Sequence, residues 1–114
     1  MSKKYHMQER TFLNTKPDMR AYILAVVEDT REIDQALEEE WRWSHIELRM
    51  ADCIDEISFE FDLSDRYERQ NSLYKARKLA EVLIAFRDAL EIEANDIDSR
   101  EAVIPLLRAM TAVH

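Results

Sequence analysis

Hydrophobic residues recur along this chain mostly at three- and four-residue intervals, the spacing that lays an apolar stripe down one face of a helix. Met19, Tyr22, Ile23, Val26, Thr30, Ile33, Leu37 and Trp41 form the first such set. Thr15 and Asp18 resemble a capping box, and Pro17 suits a first helical turn. A helix is therefore predicted from there to about residue 41. Ser44 with Glu47 opens a second helix, along which Ile46, Met50, Cys53, Ile54, Ile57 and Phe61 share a face. Leu48 and Phe59 lie opposite, so this helix is apolar on two sides. Residues 57–63 also alternate as a strand does. The longer 3.6-residue window, with no turn residue between Ala51 and Ile57, favours helix. Ser64 caps a third, long helix with a heptad-like seam of Ala76, Leu79, Leu83, Phe86 and Leu90. Residues 95–98 break it, and a last helix covers 99–113, either kinked at Pro105 or beginning near Ile104. Before all of these, Tyr5, Met7, Thr11 and Leu13 alternate with polar neighbours. They suggest a strand or an extended arm over residues 1–14 that a second subunit could receive. The pattern predicts an all-α, four-helix bundle-like domain over 15–114 behind that arm.

Composition narrows the function classes. The 114 residues are enough for one domain and contain no glycine. Glycine-rich phosphate loops, dinucleotide fingerprints and nucleophile elbows are thereby excluded, because each needs a backbone without Cβ. Sixteen basic against 24 acidic residues leave a net charge of −8, which repels nucleic acid and anionic membrane surfaces. The longest apolar run, from Ala21 to Val27, is far short of the roughly 20 residues a membrane helix requires. The single cysteine, Cys53, sits on an apolar stripe as a small buried hydrophobe would, and one thiol suits a reducing compartment. With no secretion signal in Met1-Ser2-Lys3-Lys4, a cytoplasmic protein is expected. The two-faced second helix and the pair Trp41 and Trp43 offer more apolar surface than one small subunit covers. A homodimer or homotetramer is expected for that reason.

Carboxylates off the solvated face carry the candidate chemistry. On the first predicted helix Asp29 and Glu32 flank the apolar stripe, with Glu28 nearer solvent. On the second, Asp52 and Asp55 are three apart, between Leu48 and Phe59. Two such pairs on neighbouring helices could converge on a hard divalent cation such as Mg2+.

The stretch Leu24-Ala25-Val26-Val27-Glu28-Asp29-Thr30-Arg31-Glu32-Ile33-Asp34-Gln35-Ala36-Leu37 resembles the first-helix motif of MazG-like all-α nucleoside triphosphate pyrophosphohydrolases: an apolar run followed by E-E-x-x-E-L and then small and apolar residues. Asp52-Cys53-Ile54-Asp55 resembles the family's second motif, E-x-x-D. The segment Lys78 to Ile84, with Glu81, is a rival for that place. The resemblance implies Mg2+ held by Asp29, Glu32, Asp52 and Asp55, catalysis assisted by Glu28 and Glu32, and hydrolysis of a nucleoside triphosphate to the monophosphate and pyrophosphate. Asp stands for Glu at 29 and 52, and Arg31 stands where the family often has glycine. Arg69, Lys75 and Lys78, within the chain's one basic concentration, would meet the triphosphate. The alternative from another class is a non-catalytic helical oligomeric interaction protein whose acids only solvate it.

Overall fold

The computed structural model describes residues 4–17, 20–31 and 45–112. It is not an all-α bundle. Four antiparallel strands, β1 (Lys4–Phe12), β2 (Ala21–Asp29), β3 (Ile46–Asp52) and β4 (Asp55–Phe59), form one sheet in the order β1-β2-β3-β4. A single helix, α1 (Arg66–Ala112), follows. The chain divides into two compact units, residues 1–75 and 76–114.

β2 occupies the place predicted for the first helix. Its run Ala-Tyr-Ile-Leu-Ala-Val-Val is apolar without interruption, as befits a central strand flanked by β1 and β3 and rich in β-branched and aromatic residues. An unbroken apolar run satisfies a three-four spacing as readily as a period of two. Thr15 and Pro17 lie in the connection ahead of β2, where Leu13 N–H donates to Ala21 C=O at 2.9 Å. Ile33, Leu37, Trp41 and Trp43 lie outside the described residues.

β3 and β4 replace the second helix. Ile46, Leu48 and Met50 alternate with Glu47 and Arg49, and the rival strand pattern at Ile57-Ser58-Phe59 is the correct one. The chain reverses through Cys53 and Ile54, with Asp52 opposite Asp55. Cys53 has φ 57°. Being the only described residue with positive φ, it gives the turn the II′ arrangement that usually takes glycine at its first central position. In a chain lacking glycine this turn left no sequence signal. Cys53 is exposed, not part of a core.

β1 is the edge of its own chain's sheet, not an arm on another subunit. An irregularity between Tyr5 and Met7 sets Tyr5 opposite Glu28 and Met7 opposite Val27. The extra residue moves Tyr5 to the face opposite Met7.

Register separates the two faces. Ile23, Ala25 and Val27 share one with Met7, Ile46, Leu48, Met50, Ile57 and Phe59, a mostly apolar face that also carries Glu9 and Thr11 on β1 and leaves Met7 and Ile57 exposed. Tyr22, Leu24 and Val26 share the other with Arg10, Glu47, Arg49, Ala51 and Glu56. Val26 is the most enclosed hydrophobic residue of the sheet at 2% exposure.

α1 is capped by Asp65, one residue after the expected Ser64: its Oδ1 accepts the Glu68 N–H at 2.8 Å. Ser72 is buried and donates to the Asp62 carbonyl at 2.7 Å, fastening the first turns to the segment that follows β4. The helix runs unbroken through residues 95–98 and contains Pro105. The expected break and the separate last helix are absent.

Candidate functional site

The acidic residues singled out in the sequence fall at opposite ends of the sheet. Glu28 and Asp29 end β2. Asp52 pairs with Ala21 at the start of β2 and faces Asp55 across the β3–β4 turn. The strand between them spans roughly 26 Å at about 3.3 Å per residue. Ligands of one Mg2+ lie about 2.0–2.1 Å from it. Asp29 and the pair Asp52 and Asp55, expected on adjacent helices, therefore cannot hold one ion together within this chain. Glu32 lies outside the described residues, and no group of three or more His, Cys, Asp or Glu suited to a metal ion occurs among the described ones.

Each of the remaining candidates has a structural role. Glu28 accepts the backbone N–H of His45 at 2.7 Å, and its own N–H donates to the His45 carbonyl at 2.9 Å, joining β2 to the start of β3. Asp29 receives Arg31 in a fork, Nε at 2.9 Å and NH2 at 2.6 Å to Oδ2, and the Arg31 backbone N–H at 3.0 Å to Oδ1. His6, at the β1 irregularity, stands 3.9 Å away. The Arg31 side chain, then its backbone N–H, hold the Asp29 carboxyl down at about 2. Arg69 donates to the Leu63 carbonyl at 3.0 Å. Lys75 donates to the Glu60 carbonyl at 2.7 Å and lies 5.2 Å from the centre of the Phe61 ring. Lys78 pairs with Glu81 at 3.1 Å, so the rival second-motif acid is itself neutralised. The cations expected to meet a triphosphate thus anchor the helix start or pair along it.

The sequence reading missed the polar face of the sheet. Arg10 stacks on the Tyr22 ring at 5.1 Å, and the Tyr22 hydroxyl donates to Glu56 at 3.4 Å. Arg49 bridges Glu47 and Glu56. His45 Nε2 lies 2.9 Å from Glu47 Oε2, and its ring meets Tyr5 edge-on at 6.3 Å. His45, then Arg49, lower the Glu47 pKa, while Glu47 raises that of Arg49. The network alternates in sign and shields Val26 and Tyr22 from water. The strict alternation of Glu47 and Arg49 with Ile46, Leu48 and Met50 was its one available sequence signal.

The helix presents a different surface. From Ala80 to Met110 every side chain is exposed. Val82, Leu83, Ile84, Phe86, Leu90, Ile92, Ile97, Val103, Ile104, Leu106, Leu107 and Met110 are all among them, each at 40% or more. No helix of the described residues is long and apolar enough to cross a membrane, so a bilayer-spanning role does not account for this surface. Comparison with protein-family models, with curated proteins and with solved structures yields no match.

Proposed function

We propose that this chain is a non-catalytic interaction protein: a small antiparallel sheet coupled to a long helix, with the helix serving as the surface of assembly. The observation that carries the reading is the apolar content of Ala80–Met110, held entirely at the surface of the chain. Covering a large aliphatic or aromatic side chain stabilises by about 1.5–3 kcal/mol. Left in water, such a series would favour collapse or aggregation over an extended helix. Charged residues interleaved along the helix, in pairs such as Lys78 with Glu81 and Arg100 with Asp96, keep it soluble at its edges. The sheet supplies the folded base, and Glu28, Asp29, Glu47, Arg49 and Glu56 help to hold that base together. The pyrophosphohydrolase expectation is not carried forward, because Asp29 stands roughly 26 Å along β2 from the strand end that carries Asp52 and Asp55.

Light scattering coupled to size-exclusion chromatography tests the reading. The full chain should run well above its 13.6 kDa monomer mass. The double variant Leu83→Asp, Leu90→Asp should run as a monomer and lose helical ellipticity. A wild-type chain that stays at 13.6 kDa over micromolar concentrations while keeping its full helix content contradicts it.

A further inference from the structure

The heptad seam runs further than its first five positions. Taking Leu83 as a and Phe86 as d, the a positions are Ala76, Leu83, Leu90, Ile97 and Ile104, and the d positions are Leu79, Phe86, Glu93, Arg100 and Leu107. Two consecutive d positions are charged, with opposite signs. Arg100 NH2 reaches Glu93 Oε1 at 3.1 Å across two turns, so both side chains lie along the seam, and Arg100 Nε also meets Asp96 at 3.0 Å.

We infer that α1 from Ala76 to Ala112 recognises a second copy of itself, the two helices pairing antiparallel about a two-fold axis beside Asn95. This rests on the assembly reading above and names its partner. In an antiparallel pair each layer joins an a residue of one helix to a d residue of the other. About Asn95, Leu83 meets the second copy's Leu107, and Phe86 meets its Ile104. Glu93 then stands one layer from Arg100 of the second copy, close enough to exchange the contact that each helix makes with itself. At one flank Arg87 faces Glu101 of the second copy and Ala94 faces its own counterpart; at the other Asp96, which Arg100 of its own helix already pairs at 3.0 Å, faces its own counterpart. A parallel pair would instead set Glu93 on Glu93, Arg100 on Arg100, and Asp96 beside Glu101, all like charges. Charged seam residues of this kind fix register and direction at some cost in stability.

Two experiments on the full chain read direction and contact. A spin label at Glu81→Cys, on a Cys53→Ser background, sits 14 residues from the axis. Its partner label is then offset by about 42 Å along the helix at about 1.5 Å per residue. Pulsed electron–electron distance measurement should give a peak near 45 Å. A peak near 20 Å would mean a parallel pair, and a shift of about 10 Å would mean a register one heptad away; either overturns the inference while leaving the assembly reading intact. In the second experiment, Glu93→Arg and Arg100→Glu should each weaken self-association at least about tenfold, since like charges then meet in the seam. An equimolar mixture of the two variants should recover it. Loss without recovery on mixing overturns the cross-helix contact. A monomeric wild-type chain removes both this inference and the assembly reading.

Discussion

In the sheet, buried Val26 and Tyr22 share a face with Arg10, which lies over the Tyr22 ring, and with Glu47, Arg49 and Glu56, where Arg49 bridges the two glutamates and Glu56 accepts from the Tyr22 hydroxyl. In the helix beyond Lys75, Leu83, Phe86 and Leu90 are exposed at 50%, 63% and 56%. Both regions are rich in apolar and charged residues, so composition does not distinguish them. The difference is in where the charges are placed. On the strands, alternation puts a charge above each flank of a central apolar row, and long side chains fold over it. On the helix, ion pairs such as Lys78 with Glu81 and Arg87 with Asp88 run along the surface and cover little of the seam. The other face of the sheet leaves Met7 and Ile57 exposed at 42% and 54%, so the contrast is between the charged face of the sheet, which covers itself, and the helix surface, which does not. That contrast underlies the reading of one unit as base and the other as docking surface.

Substitutions can break the contrast from either side. The largest effect is expected from Val26→Asp, which sets an unpaired carboxylate at the most enclosed hydrophobic position of the sheet. It should cost about 4 kcal/mol or more and collapse the amide dispersion of β1–β4 in an NMR spectrum.

Acid should act on the same region next. Asp29 is held at about 2 against an ordinary 3.8, and Glu47 and Asp62 are also lowered, by His45 and Ser64 respectively. Groups whose pKa is depressed on folding stabilise fully above their unfolded value, and lose that contribution as pH falls through the folded one. Urea midpoints for the sheet should therefore be flat above about pH 5 and decline between about pH 4 and 2. Midpoints that rise in that window would show that these carboxylates are not favourably paired.

Two smaller changes sharpen the account of the sheet. Cys53→Gly relieves a left-handed φ at a II′ turn and should raise stability by about 1 kcal/mol in equilibrium denaturation. An unchanged or lower midpoint would mean that the residue bears no strain there. Tyr22→Phe removes the 3.4 Å hydroxyl bond to Glu56, a long one, and should cost only about 0.5 kcal/mol. A loss several times larger would give that hydroxyl a wider role than the geometry supports.

How far this was legible in the sequence depended on the element. The third predicted helix is real, and its seam of Ala76, Leu79, Leu83, Phe86 and Leu90 lies on α1, because a heptad with interleaved charges fits no strand. Residues 95–98 were misread as a break: Asn and Asp favour caps, but within a long helix with ion pairs on either side they continue it. β2 was not legible, since a seven-residue apolar run has no period of its own. β3 and β4 carried an alternation that a longer, accidental helical spacing outweighed, and the missing glycine concealed their turn. The candidate site was read on helices that are not there: Asp52 and Asp55 do face each other, but across the β3–β4 turn, and Asp29 stands at the far end of β2 from them. The MazG-like resemblance covers short stretches at 24–37 and 52–55; Leu24–Asp29 lies in β2 and 52–55 forms the β3–β4 turn, not the helices it implies, and residues 32–37 lie outside the described residues.

Hydrogen exchange followed across a dilution series of the full chain tests the central claim most directly, because it reads both regions in one sample. Amides of residues 80–110 should lose protection as the protein is diluted and the pairing of helices is undone, while those of Ala21–Asp29 exchange at the same rate throughout. Helix protection that is independent of concentration would contradict the claim, for it would mean that α1 stands without a partner.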